Sequence, residues 1–208
     1  MDRAQGAACS GSVCCYVLPP ADGSETSLGG LRFFAHAGGH CGTAPESVWH
    51  ERTKTAVFDA FSNIGAGVSV EAPGRGTVGR WVADVHVRIG PRQIAIEIQR
   101  SHQTLAEYMR RQRRYVEGRW ECYWLLSFSR YRTLSKAVAS QLIRTRYGGK
   151  IPEPLPPGFG LAELPFSVVD ERDGLMVRGP GLSVDLPRWA ESVRNRTFAF
   201  QNECWIVV

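Results

Sequence analysis

The stretch RWVADVHVRIGPRQIAIEIQRS, Arg80 to Ser101, constrains the fold more than any other part of the chain. Apolar residues alternate from Trp81 to Ile89 and again from Ile94 to Gln99, with Gly90 and Pro91 between. A period of two on either side of a turn signal predicts two neighbouring strands. Ala83, Val85, Val87 and Ile89 share one face of the first strand; Ile94, Ile96 and Ile98 share one face of the second. The opposite faces carry Asp84, His86 and Arg88, then Ala95, Glu97 and Gln99. An unpaired buried carboxylate is costly, and two that face the same side repel each other. Acids at Asp84 and Glu97 therefore need a physical reason.

The neighbouring segments supply a framework. Pro45 opens a predicted helix with Glu46 and Ser47 in its first turn, where an acid suits the positive end of the dipole. Trp49, Ala56, Val57, Ala60, Phe61 and Ile64 approximate its apolar stripe, and Gly65 and Gly67 stop it. Glu46, His50 and Lys54 recur every four residues on a different face. A short strand follows at 67–73. Beyond Ser101 come a basic helix from about Thr104 to Gly118, a continuous apolar strand Cys122–Phe128, and a second basic helix Leu134–Tyr147. Helix, three strands, helix, strand, helix predicts an α/β core, a mixed central sheet flanked by helices. The proline-rich IPEPLPPG marks a linker, followed by short strands and a helix at PRWAESVRN. This tail reads as a β-rich appendage or an extension of the sheet. The expected division is 1–45 (a small N-terminal Cys/His-containing element), 46–150 (the core) and 151–208 (the C-terminal appendage).

Composition narrows the class. The chain has 208 residues, 43% hydrophobic and 22% charged, as in a globular protein. It lacks the run of about eighteen apolar residues that a membrane-spanning helix needs. The N-terminus lacks a basic segment before a long apolar core, so no signal peptide is expected and a cytoplasmic location is the default. The formal charge of +5 is compatible with a polyanionic partner. Oligomeric state is not set by these features, and a homodimer stays open. Of the six cysteines, Cys9, Cys14, Cys15 and Cys41 fall in the first 41 residues. With His36 and His40 they form a candidate structural Zn²⁺ site, against the alternative of ordinary thiols.

A divalent cation would make the acids reasonable. Mg²⁺ or Mn²⁺ takes hard oxygen ligands, typically one or two carboxylates completed by water and phosphate oxygens. If the two strands are adjacent, Asp84 and Glu97 can reach one ion, with the Ile98 carbonyl as a third ligand. Such an ion polarises a phosphodiester and lowers the pKa of bound water.

Asp84 with Glu97-x-Gln99 resembles the active-site motif of the PD-(D/E)XK nuclease superfamily, in an E-x-Q variant. The wider set is more particular. FFAH (Phe33–His36), ES-x-x-H (Glu46–His50) with Lys54, R-x-x-x-D (Arg80–Asp84), IAIEIQ-x-S (Ile94–Ser101) and YWLL (Tyr123–Leu126) together resemble the competence protein CoiA-like family. The resemblance covers about residues 31–128. It implies a restriction-endonuclease-like core and metal-dependent cleavage of DNA, in processing such as competence, recombination or defence. By position, Asp84 and Glu97 would bind metal, and His50 and Glu46 would face the same site. Gln99 stands where the superfamily usually has lysine. An amide cannot act as a base at neutral pH, so Gln99 would orient water while His50 or Lys54 assists. Arg110, Arg111, Arg113 and Arg114, with Tyr115 among them, would hold DNA by binding phosphates and stacking on bases. Gln112 and Tyr115 are also reminiscent of a Q-x-x-x-Y helix in some exonucleases of the superfamily, at a spacing one residue shorter.

Plainer readings stand beside these. Asp84 and Glu97 can pair with Arg80, Arg88 or Arg100 on an exposed sheet. Glu46 and His50 can be a surface pair, and the arginine-rich helix a solvated face. A nuclease fold without catalysis, serving as a DNA-binding accessory protein, is the functional alternative, and an RNA substrate is not distinguished from DNA.

Overall fold

The computed structural model describes residues 15–16, 35–36, 48–76, 79–172 and 174–208. The chain divides into two compact units, Met1–Trp49 and His50–Val208. In the first, β1 (Cys15–Tyr16) pairs antiparallel with β2 (Ala35–His36). Glu46 and the candidate zinc ligands Cys9, Cys14, His40 and Cys41, with the side chains of Cys15 and His36, lie outside the described residues.

The second unit is an α/β structure. Its elements are α1 (Val48–Asn63), β3 (Gly67–Gly76), β4 (Gly79–Ile89), β5 (Arg92–Gln99), α2 (Leu105–Glu117), β6 (Glu121–Leu126) and α3 (Phe128–Thr145). Next come β7 (Phe166–Asp170), β8 (Met176–Gly179), β9 (Leu182–Asp185), α4 (Leu186–Asn195), β10 (Phe198–Gln201) and β11 (Cys204–Val207). Strands β3 to β9 form one mixed seven-stranded sheet in sequence order. Within it, β5–β6 and β6–β7 run parallel and the other neighbours antiparallel. A parallel neighbour requires a crossover, and α2 supplies the one between β5 and β6.

The β4–β5 hairpin forms where the alternation predicts two neighbouring strands. Val85 lies opposite Ile96 and Val87 opposite Ile94, so the apolar faces coincide, while His86 meets Ala95 on the other side. Gly90 sits in the turn at φ 57°, a region costly for other residues. Helices cover both faces. On the side of Ile96 and its neighbour Tyr123, Trp189 of α4 packs edge-on against Phe61 of α1 and against Tyr123. On the side of Trp124, α2 brings Tyr108 edge-on to that ring at 4.9 Å, and Leu134 and Val138 of α3 join the same core.

Helix α2 begins with a complete capping box between Thr104 and Glu107. Its C-terminal end is fixed by Trp81, which spans a narrow space between Gly74 and Gly118. A Cβ at those glycines would lie 2.1 and 2.4 Å from the indole. Trp81 and His86 both pack on Trp120, although an odd and an even position on a flat strand would face opposite ways. Strand β4 therefore turns over between them, at the level of Asp84.

Of the two sequence readings of the tail, extension of the sheet describes β7–β9, so an appendage does not begin at residue 151. Strands β7, β8 and β9 complete the main sheet, and the β10–β11 hairpin forms a small sheet of its own. Short strands announce themselves by composition, but which sheet they join depends on partners distant in sequence. Among the described residues, no helix is long and apolar enough to cross a membrane.

Candidate active site

The site forms where β4 and β5 part. Their ladder extends only to Val85–Ile96. One step further, the backbone N–H of Ile98 donates not to β4's backbone but to Asp84 Oδ2, at 2.7 Å. His50 of α1 approaches the same oxygen, with Nε2 at 3.4 Å. Burial pushes Asp84 up, but the hydrogen bonds from His50 and Ile98 and the charges of His50 and Arg111 outweigh it. The carboxyl is held below its ordinary value.

Glu97 lies deeper, only 1% exposed. Tyr115 donates its hydroxyl to Oε1, and Arg111 Nη2 lies 2.5 Å from Oε2. Burial is the main influence on this carboxyl, opposed by Arg111 and reinforced by the charge of Asp84; the balance pushes it up to about 7. The two acids are thus electrostatic neighbours with different tendencies. Asp84 keeps its charge, and Glu97 is poised near neutrality.

Gln99 is buried beside them. Its Nε2 donates to the Ser101 hydroxyl at 2.5 Å and to the Ser101 carbonyl at 3.1 Å. Its Oε1 accepts from Gln103 Nε2 and from Arg111 Nη1, each at 3.2 Å. Arg111 therefore joins Glu97 to Gln99, and its guanidinium lies over the Trp124 ring at 4.8 Å. Desolvation would lower the guanidinium's pKa, but Glu97, Tyr115, Asp84 and Cys122 together outweigh it. It remains a cation.

Several expectations change at α2. Tyr115 and Tyr108 are each 1% exposed, so neither presents a ring to a nucleic-acid base. Tyr115 is instead a hydrogen-bond donor to Glu97. Trp120 stacks on His86 at 4.5 Å. Gln112 is structural, accepting from Trp124 Nε1 at 2.7 Å and donating to the Cys122 carbonyl at 3.3 Å. Tyr108, Gln112 and Tyr115 fall at i, i+4 and i+7, an inward stripe visible in the sequence once the arginines are set aside. Arg110 and Arg113 are exposed, and Arg114 is half-buried.

Lys54 is also placed differently from an open helix surface. It is 4% exposed, with Nζ 3.1 Å from Glu51 Oε1 and 3.0 Å from Glu71 Oε1. Glu71 lies between the pairs Val70–Val85 and Ala72–Ala83, hence across from Asp84. Its φ of 49° marks a local departure from strand geometry. Sequence reasoning missed both Glu51 and Glu71, although an acid within the alternating GVSVEA resembled Asp84 in kind.

The donor set suits a hard divalent ion. Two carboxylates from adjacent strands repel each other here, Asp84 at the mouth of the β4–β5 split, 22% exposed, and Glu97 buried behind it. The described residues contain no group of three or more His, Cys, Asp and Glu side chains able to hold a metal. Water, phosphate and a main-chain carbonyl would complete the shell, as Mg²⁺ commonly permits.

A mixed sheet with helices on both faces, opening on an aspartate and an E-x-Q pair, defines a nuclease-like α/β domain. Residues 46–145 match the family model described as "Competence protein CoiA, nuclease-like domain". No curated protein is matched. A crystal structure described as "Protein of Unknown Function AF1548" aligns over 38% of this chain and 47% of its own, with 14% identity and a TM-score of 0.32.

Proposed function

We propose that the protein is a Mg²⁺- or Mn²⁺-dependent deoxyribonuclease of the cytoplasm, working in DNA processing such as competence, recombination or defence. The observation that carries this reading is the placement of Asp84 and Glu97 on adjacent strands at the point where their backbone ladder opens. Asp84, Glu97 and the Ile98 carbonyl would hold the ion. When bound, it supplies a Lewis acid and an activated water at neutral pH.

The protein's own groups divide the remaining work. His50 adjoins Asp84, with Nε2 at 3.4 Å, and its imidazole can both accept and donate a proton. Gln99 positions by hydrogen bonding, since its amide takes no proton. Lys54, engaged by Glu51 and Glu71, helps fix α1 to β3 and thereby His50. Arg110, Arg113 and Arg114 supply positive charge along α2 for a phosphate backbone.

The test uses single-stranded, duplex and branched DNA, and RNA, each with Mg²⁺, Mn²⁺ or EDTA, beside Asp84→Ala and Glu97→Ala. Metal-dependent DNA cleavage absent from both variants supports the reading. A wild-type protein that binds DNA but cuts none of the substrates refutes it. A DNA-binding accessory protein on a nuclease fold is the second reading, favoured by the lack of a base at Gln99 and by the guanidinium already at Glu97.

A further inference from the structure

We infer that Arg111 is the site's gate: a resident cation that holds Glu97 and Gln99 until a nucleic-acid phosphate draws it away and frees Glu97 for metal. This inference rests on the metal-dependent reading above. It concerns the order in which the site is assembled, which that reading leaves open.

Three observations carry it. First, the guanidinium reaches both motif residues at once, with Nη2 on Glu97 and Nη1 on Gln99. With Tyr115 on Oε1, each oxygen of Glu97 has a protein donor. A divalent ion between Asp84 and Glu97 would adjoin a positive charge already bound to one of its ligands, and like charges at such separation oppose each other. Second, the pair is unequally buried. Arg111 is 26% exposed while Glu97 is 1% exposed. The cation has an open side and the carboxylate does not, so movement of Arg111 is the natural way to expose Glu97. Third, Arg114 follows Arg111 by three residues on α2, so the two are neighbours on one side of the helix. A phosphate drawn to Arg114 arrives beside the Arg111 guanidinium.

The exchange conserves bonding. The planar guanidinium fork matches phosphate as well as carboxylate. Leaving Glu97 and Gln99 for a phosphate replaces two hydrogen bonds with two of similar kind. DNA would remove a positive charge from the metal site, and a bound metal would release Arg111 toward DNA. Linkage makes the two effects equal. Metal loading would thus be favoured on protein that already holds its substrate.

Mn²⁺ titrations of the intact protein at one fixed pH test this. Wild type, Arg111→Gln, Arg111→Met and Arg111→Lys are compared with and without a short single-stranded oligonucleotide, with circular dichroism to establish folding. Arg111→Met keeps an unbranched stem over Trp124, which guards against collapse of that packing. Without DNA, the neutral variants should bind Mn²⁺ about tenfold tighter than wild type. Arg111→Lys, which keeps the charge, should stay near wild type. The oligonucleotide should tighten Mn²⁺ binding to wild type and add much less to the neutral variants. Folded neutral variants with no gain in DNA-free affinity overturn the gate, as does wild-type affinity indifferent to DNA. If wild type still cleaves DNA with Mn²⁺ in that case, the gate fails and the nuclease reading stands. If no protein binds Mn²⁺ or cleaves, both fail.

Discussion

Asp84 Oδ2 accepts the backbone N–H of Ile98 at 2.7 Å, so a candidate metal ligand also closes the hydrogen-bond ladder between β4 and β5. The two roles separate by substitution. Asp84→Ala leaves the Ile98 N–H without its partner, a loss of roughly 1–3 kcal/mol. Asp84→Asn keeps an acceptor oxygen there but removes the charge. The expected result is abolished metal-dependent cleavage in both, with chemical denaturation showing a clear loss of stability only in the alanine variant. Equal stability of the two would deny Asp84 its structural role.

Glu97 and Asp84 should give opposite pH dependences of stability. Glu97 is pushed up to about 7 from an ordinary 4.5. Between those values the folded state binds more protons than the unfolded state, so its contribution to stability falls as pH rises and levels off above 7. Its size is on the order of a few kcal/mol. Asp84 is held below its ordinary 3.8. Its contribution is present above that value and is lost in stronger acid. Urea unfolding across pH should show a decline between roughly 4.5 and 7 that flattens in Glu97→Gln. A variant with the same slope as wild type would exclude Glu97 as its source.

Much of this site was legible in the sequence, and the limits have physical causes. The β4–β5 pairing followed from period two and Gly90-Pro91, because those signals are local. Glu97 and Gln99 project alike because they are two apart on β5, whereas Asp84 meets them where β4 turns over and His50 reaches Asp84 from α1. The spacing of Tyr108, Gln112 and Tyr115 was visible as a helical stripe, but the partners of Tyr115 and Gln112 were not. Their burial depends on Glu97, Trp124 and the Cys122 carbonyl, all outside α2, and the neighbouring arginines pointed toward solvent and phosphate. The burial of Lys54 between two acids was not legible, because a buried lysine is uncommon unless acids meet it, and one of its partners, Glu71, comes from a different element. The membership of β7–β9 in the main sheet likewise rests on long-range pairing such as Trp124 with Phe166.

Gln112 should matter for stability without touching chemistry. It ties α2 to β6 through Trp124 Nε1 and the Cys122 carbonyl, and all three residues are buried. Gln112→Ala strands the indole N–H and opens space beneath the helix. The expected cost is about 2–4 kcal/mol, read as a lowered denaturation midpoint. Because α2 also positions Arg111 and Tyr115, activity at low temperature should survive in whatever fraction remains folded. A variant of unchanged stability would show that the clamp contributes little.

The basic face of α2 gives the last test. Arg110 and Arg113 are exposed, unlike Arg111 and Tyr115, which are committed to Glu97. If the exposed arginines meet phosphates, replacing each with alanine should weaken DNA binding similarly across unrelated sequences. The slope of log affinity against log salt should fall by about one for each phosphate that is no longer neutralised. Stability should change little, because neither side chain fills the core. Tyr115→Phe should behave in the opposite way, with an unchanged salt slope but a loss of roughly 1.5–3 kcal/mol from the hydrogen bond to Glu97. Binding isotherms at several salt concentrations, beside denaturation curves for the same proteins, separate the two roles. A salt slope unchanged by Arg110→Ala and Arg113→Ala would assign DNA binding to another surface.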